Sequence, residues 1–212
     1  MVIYDDYRQQ RLFHRRVEPK GPEEIYPVSP GDEQIQDMTP DGRYVVAQVD
    51  TYSPPTKVAW RSLDGAQWQK VGTGTLAGLS SSFSPDGRWL AYGSDQSGEP
   101  EIYVMDFPRG LETRRVSANG GSLPRWRGDG KELFYAAKDG WLMSVSMPGP
   151  TLELMGSPKQ LFATNLTPPI EDDNQIYDVT ADGQRFLMID RVSEMSNPIE
   201  MVLNWPSLLL NK

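Results

Sequence analysis

One turn motif, centred on an Asp-Gly pair as in Ser84-Pro85-Asp86-Gly87-Arg88, recurs four times along this chain, each time just ahead of residues that favour a β-strand. The pairs begin at positions 41, 86, 129 and 182, so successive copies are 45, 43 and 53 residues apart. A repeat of this length is typical of propeller blades rather than of solenoid turns. The aspartate can accept backbone N–H groups, and the glycine can take the positive φ that a tight hairpin loop requires. We therefore predict structural roles for eight turn residues: Asp41, Gly42, Asp86, Gly87, Asp129, Gly130, Asp182 and Gly183.

The strand-forming runs after these turns are apolar or aromatic on both faces, as in 89–92 and 102–105. A sheet with one solvated face would alternate apolar with polar residues instead. Strands of this kind fit small sheets packed between two neighbouring sheets, which is the arrangement of propeller blades. The sequence therefore predicts an all-β propeller built from four-stranded antiparallel blades.

The repeat divides the chain into about four to five blades within a single domain, 1–212. Full blades are predicted at 35–72, 79–117 and 122–163, a partial blade at 2–28, and an incomplete last blade at 174–205. Either the two partial blades complete one another and close a small ring, or the chain is part of a larger propeller. An unclosed propeller would leave strand edges and an apolar blade face exposed, so self-association through open blade edges is expected.

Composition excludes several classes of function. The net charge of −8 argues against nucleic acid as a partner, and the absence of cysteine excludes disulfides and thiolate metal sites. No apolar run approaches the ~18 residues of a membrane span, so direct membrane insertion is not expected. The first six residues include Asp5 and Asp6 where a signal peptide needs a basic and then an apolar stretch. A cytoplasmic location is expected if Met1 is the native start.

Short blocks along the chain are similar to TolB-type propeller repeats, also called WD-like repeats. The clearest blocks are 83–92, which begins Phe83-Ser84-Pro85-Asp86-Gly87, and 101–104. Further downstream, the ordered blocks 120–126, 129–135, 177–187 and 202–205 resemble the C-terminal propeller of bacterial receptor-like serine/threonine kinases, especially those of acidobacteria.

This second resemblance implies a propeller that follows a kinase domain and a membrane helix and binds something outside the cytoplasm. The chain lacks the kinase Gly-rich loop, the His-Arg-Asp loop and Asp-Phe-Gly; at 106–108 a proline stands where that glycine would be. Kinase activity therefore does not carry over, whereas the propeller and a binding role do. An extracytoplasmic, periplasmic location is expected if the chain belongs to such a kinase.

No catalytic constellation accompanies the repeats. The only histidine is His14, and no Gly-x-Ser-x-Gly sequence is present, so an enzyme is not predicted. Neither a metal nor a cofactor is predicted, because the oxygen-rich loops 95–99 and 171–174 do not alone supply the six or more ligands of Ca²⁺.

A bound ligand is expected where the inner strands converge, at the mouth of the channel. An arginine beside an aromatic ring can hold an anionic or carbohydrate-like group, and packing between blades is the alternative role. The candidates are Phe83, Arg125, Trp126 and Tyr177.

The leading functional prediction is a non-catalytic module that binds an unknown protein or small molecule, like the sensor propeller of a receptor kinase. One alternative is a stand-alone TolB-like scaffold for protein partners. The other is an accessory propeller of a larger enzyme, either a kinase or a serine peptidase.

Overall fold

The computed structural model describes most of the chain. Backbone and side chains are described for residues 33–49, 57–65, 67–74, 80–147, 149–164, 166 and 177–189. Four further strands, at 2–6, 11–15, 23–26 and 199–203, are described by their backbone. All the regular elements in these ranges are β-strands, except for one 3-10 turn at Leu152–Leu154. None of the described residues forms a helix long and apolar enough to cross a membrane.

The strands form five antiparallel sheets, here called blades 1 to 5, in which consecutive strands pair. Blade 1 contains β1 (Val2–Asp6), β2 (Arg11–Arg15) and β3 (Glu23–Tyr26). Blade 2 contains β4 (Glu33–Met38), β5 (Tyr44–Val49), β6 (Lys57–Ser62) and β7 (Gln69–Lys70). Blade 3 contains β8 (Ser82–Phe83), β9 (Trp89–Ser94), β10 (Glu101–Asp106) and β11 (Thr113–Arg115). Blade 4 contains β12 (Gly121–Trp126), β13 (Glu132–Ala137), β14 (Trp141–Ser146) and β15 (Lys159–Ala163). Blade 5 contains β16 (Tyr177–Val179), β17 (Arg185–Ile189) and β18 (Ile199–Leu203).

Each of the four Asp-Gly pairs of the repeated motif lies in the turn between the first and second strands of a blade. In blade 3 the Gly87 N–H donates to the Ser84 carbonyl at 2.8 Å, with the glycine at a φ of 69°. The Asp86 carboxylate accepts the Ser84 hydroxyl at 2.6 Å and the Arg88 N–H at 3.1 Å. The other three turns also have a positive-φ glycine and an aspartate that accepts the N–H two residues on, at Asp41, Asp129 and Asp182.

The hydrophobic cores lie between blades. One core joins blades 2 and 3, a second joins blades 3 and 4, and a third joins blades 4 and 5. Along β9, Leu90 and Tyr92 face blade 2, whereas Trp89 and Ala91 face blade 4. This alternation explains why the second strands are apolar on both faces: each face is buried against a different neighbour.

The predicted fold class, an all-β propeller with four-stranded antiparallel blades, is confirmed. The repeat pattern does not reveal the details of the first strands. In the blade predicted at 79–117, the described part of the first strand pairs at Ser82–Phe83. The first strands of blades 2 and 4, β4 and β12, contain bulges.

Candidate functional site

The first strands of blades 2 to 5 lie side by side and are joined by side chains that reach from one blade to the next. Asp37 in β4 accepts the Phe83 N–H of blade 3 through Oδ2 at 2.7 Å. Trp126 in β12 donates its indole N–H to the Ser82 carbonyl at 3.0 Å. The Tyr177 hydroxyl in β16 donates to the Leu123 carbonyl of blade 4 at 2.7 Å. Three hydrogen bonds therefore link the first strands of blades 2 to 5, each between neighbouring blades.

Asp37 is the acidic residue among these contacts between first strands. Its Oδ1 accepts the Met38 N–H at 2.7 Å, while Oδ2 is bound to Phe83 of the next blade. Burial raises the pKa of Asp37, and this effect outweighs the hydrogen bonds from Phe83, Met38 and Ser82 and the charge of Arg125, which all lower it. Both carboxylate oxygens are thus occupied by backbone N–H groups.

Arg125, in the first strand of blade 4, is a basic residue close to these contacts, and it is 7% exposed. Its Nη1 donates to the Pro124 carbonyl at 2.7 Å, and its Cζ lies 5.9 Å from the centre of the Tyr177 ring. The Nε of Arg125 is buried and has no hydrogen-bond partner within the described ranges. A buried guanidinium N–H without an acceptor is rare, and it is usually satisfied by a water, an ion or a ligand.

A second unsatisfied group lies on the same face of β12. Ser122 pairs with Ala136 and Arg125 pairs with Phe134, and both partners pack in the core between blades 4 and 5. Ser122 and Arg125 therefore point toward blade 5. The Ser122 hydroxyl is buried, and the described structure gives it no partner.

The backbone between these two residues is strained. The register of β12 against β13 shifts by one residue between Ser122 and Arg125, which marks a β-bulge. Within the bulge Leu123 has a φ of 58°, the only positive φ of a non-glycine residue in the described chain. Such strain costs about 1–3 kcal/mol and is concentrated at binding and catalytic sites.

We call Asp37, Ser82, Ser122, Arg125 and Tyr177 the inner-strand cluster.

The structure brings together two of the four residues predicted to bind a ligand, Arg125 and Tyr177. Burial raises the pKa of Tyr177, so its hydroxyl stays protonated and donates to Leu123.

The side chains of the other two, Phe83 and Trp126, lie in different apolar cores. Phe83 packs edge-to-face on Phe107 at 4.8 Å, and Trp126 packs among residues of blades 3 and 4. Both side chains therefore lie in packing contacts between blades, which is the alternative role given for these candidates above.

Sequence reasoning did not single out Asp37, Ser82 or Ser122. One signal was available for Asp37, because an aspartate also stands two residues before the turn in blade 5, at Asp178. Each of the two accepts the backbone N–H of the residue that follows it in its own strand, Met38 and Val179. In blade 2 the second carboxylate oxygen also reaches the next blade, which the sequence alone does not reveal.

No group of three or more potential metal ligands lies together in the described residues. His14 is in β2, whose backbone alone is described, and the loop 171–174 lies outside the described residues. In the other oxygen-rich loop, Ser97 donates to the Glu99 carbonyl, and Glu99 pairs with Lys138 at 3.3 Å.

No family model matches this chain, and no curated protein matches it. Solved structures do match. TolB from Acinetobacter baumannii superposes with a TM-score of 0.65 at 15% identity, covering 96% of this chain and 51% of that one. A putative TolB from Agrobacterium tumefaciens gives a TM-score of 0.54 at 13% identity, covering 85% of this chain and 62% of that one. A puromycin-hydrolyzing peptidase of Mycobacterium tuberculosis gives 0.58 at 20% identity, covering 88% of this chain and 33% of that one.

These similarities show that the fold is a TolB-like β-propeller. The chain spans about half the length of the Acinetobacter protein and less than two thirds of the Agrobacterium one.

Proposed function

We propose that this chain is a non-catalytic binding module that recognises an anionic group, such as a carboxylate, at the inner-strand cluster. The observation that carries the proposal is the buried Nε of Arg125, which has no acceptor among the described residues. Arginine presents its N–H groups in a planar fork that matches a carboxylate or phosphate. An anionic oxygen at this position would satisfy a donor that the described residues leave without a partner.

The surroundings of Arg125 support an anion over a cation. Asp37 already accepts two backbone N–H groups, so it has less capacity to bind a cationic ligand. The Ser122 hydroxyl adds a second donor on the face of β12 that carries Arg125. The Tyr177 ring holds the guanidinium from one side by a cation–π contact, which fixes its plane. The strained bulge at Leu123 sets the direction in which β12 presents both donors.

Thermal unfolding with small probes tests this proposal. Acetate, succinate and sulfate are added separately to the intact chain, with glucose as an uncharged probe. A carboxylate or sulfate should raise the unfolding midpoint of the wild type, because a ligand that binds only the native state stabilises it. Arg125→Gln should abolish the rise relative to its own ligand-free midpoint. Arg88→Gln is the matched control, since Arg88 is exposed and bound to Asp86 in a turn. Equal rises in the wild type and in Arg125→Gln would refute the proposal.

At a finer level, we propose that the module is the sensor of a bacterial receptor serine/threonine kinase. The ordered blocks that end at Leu203-Asn204-Trp205 support this assignment. An antibody raised against the chain should then detect a membrane-bound protein several times larger than 23.9 kDa in source-cell lysate. A single band at 23.9 kDa in the soluble fraction would instead favour the stand-alone scaffold.

A second candidate function is an accessory propeller of a larger enzyme. The similarity to about a third of a mycobacterial peptidase supports it, because the matched propeller there belongs to a longer chain. A serine-hydrolase probe that labels the native full-length protein would favour this candidate. Labelling of the chain 1–212 alone would contradict its non-catalytic assignment.

A further inference from the structure

Two further polar groups near the inner-strand cluster are buried without a partner. The Oε1 atom of Gln34, in β4, and the hydroxyl of Ser81, directly before β8, have no hydrogen-bond partner among the described residues. They share this property with the Ser122 hydroxyl and the Arg125 Nε. Ser81 is 1% exposed and Ser122 is 0% exposed. Because buried polar atoms of this kind are normally bound by protein, water or ligand, the four groups together describe what a ligand must offer.

The bulges in β4 and β12 place polar side chains at the same two levels of blades 2 and 4. Gln34 and Ser122 are equivalent, because each pairs with the residue seven positions after the turn aspartate of its blade. Asp37 and Arg125 are also equivalent, because each pairs with the residue five positions after that aspartate. The pairs are Gln34–Gln48, Ser122–Ala136, Asp37–Val46 and Arg125–Phe134. The two levels are therefore two residues apart along the second strands, or about 7 Å.

Side chains of blades 2 and 4 reach a common space although blade 3 lies between these blades. Asp37 accepts the Phe83 N–H and Trp126 donates to the Ser82 carbonyl, so β4 and β12 flank β8 on its two sides. Burial raises the pKa of Asp37 and the charge of Arg125 opposes this effect, which requires the two groups to be close. A ligand held by Arg125 can therefore reach polar groups of both blades.

We propose that the ligand of the inner-strand cluster is a carboxylate that also carries hydroxyl groups, as a sugar acid does. This inference rests on the proposed anion-binding function, because Arg125 binds the carboxylate. A carboxylate alone only accepts hydrogen bonds, so it would leave the Gln34 Oε1 without a donor. A hydroxyl both donates and accepts, so hydroxyls further along the ligand satisfy Gln34 and the two serines. The carboxylate and the distant hydroxyls of a six-carbon sugar acid are far enough apart to reach both levels.

Isothermal titration calorimetry of the intact chain with gluconate, acetate and glucose tests this inference. Gluconate should bind at least about tenfold more tightly than acetate, because its hydroxyls add hydrogen bonds, and also more tightly than glucose, which has no carboxylate. Equal affinities for gluconate and acetate would overturn the inference and leave the anion-binding function standing. If neither carboxylate binds, both proposals fail.

A peptide is the other kind of ligand that combines a carboxylate with hydrogen-bond donors. Triglycine carries a carboxylate and N–H groups but no hydroxyl, and it should bind more weakly than gluconate. Binding of triglycine as tight as that of gluconate would overturn the assignment to a hydroxylated ligand.

Substitution of Gln34 separates the hydroxyl contacts from the carboxylate contact. Gln34→Leu should bring the ratio of gluconate affinity to acetate affinity toward one, whereas Arg125→Gln should abolish the binding of both. Gln69→Leu is the matched control, because Gln69 is exposed in β7 and should keep the wild-type ratio. Without ligand, Gln34→Leu should unfold at the same temperature as the wild type or a higher one, because it removes a buried acceptor that has no described partner. A ratio unchanged by Gln34→Leu, or a lower unfolding midpoint of the free variant, would contradict the role of Gln34 in binding a hydroxyl.

Discussion

Replacing Asp37 with alanine should destabilise the fold strongly, because Asp37 joins two blades. The substitution removes the acceptor of the Phe83 N–H in blade 3 and of the Met38 N–H in blade 2, each held at 2.7 Å. An unsatisfied buried N–H costs about 1–3 kcal/mol. Asp37→Ala also removes a carboxylate whose burial is unfavourable, which offsets part of the loss. The free energy of unfolding should therefore fall by about 2–4 kcal/mol.

Urea unfolding followed by tryptophan fluorescence measures this effect. For a slope of about 2 kcal/mol per molar urea, the midpoint should fall by about 1–2 M. Asp139→Ala is the control, since Asp139 is an exposed hairpin aspartate that accepts one N–H from Trp141 at 3.4 Å. Its midpoint should change by a few tenths molar at most. If the two variants lose equal stability, Asp37 does not join the blades as described.

Three further predictions concern single groups. Gly87→Val should cost more than about 1 kcal/mol, because it forces a β-branched residue to a φ of 69°; Gly87→Asn should cost less, and equal urea midpoints would contradict the turn geometry. Tyr177→Phe should lower the free energy of unfolding by about 1 kcal/mol through loss of the bond to the Leu123 carbonyl; an unchanged midpoint would show that this bond contributes nothing. The hydrogen bond from Arg127 lowers the pKa of Asp129 to about 2. Because this folded-state pKa is below the ordinary one, the stability that Asp129 contributes should be lost as the pH falls toward about 2. NMR titration of its carboxyl measures this pKa, and an ordinary value would contradict the pairing.

The turns and the blade architecture were predictable because both depend on local chemistry. An Asp-Gly pair specifies its own conformation: the glycine takes the positive φ and the aspartate binds the N–H two residues on, as at Asp86 and Gly87. The two-faced apolar strands then allow few arrangements other than stacked sheets, which the three cores confirm.

The inner-strand cluster was only partly predictable because it depends on register and on contacts between blades. The bulge that sets Arg125 and Ser122 on one face is visible only in the pairing of β12 with β13. The role of Asp37 depends on a backbone N–H that is 46 residues away in the sequence. Tyr177 lies five residues before the turn aspartate Asp182, whereas Phe83 lies three residues before Asp86. Turn spacing alone therefore does not place the two residues at equivalent positions.

An NMR titration of the Arg125 Nε–H tests most directly the claim that this chain binds anions at the inner-strand cluster. Succinate is added to ¹⁵N-labelled protein, and the arginine Nε–H signals are assigned by single substitutions, including Arg125→Gln. We predict that the Arg125 signal shifts saturably while that of exposed Arg88 does not, and that backbone signals around Ser122 follow Arg125. An Arg125 signal that stays in place, or that moves linearly with those of the exposed arginines, would contradict a binding site at this cluster.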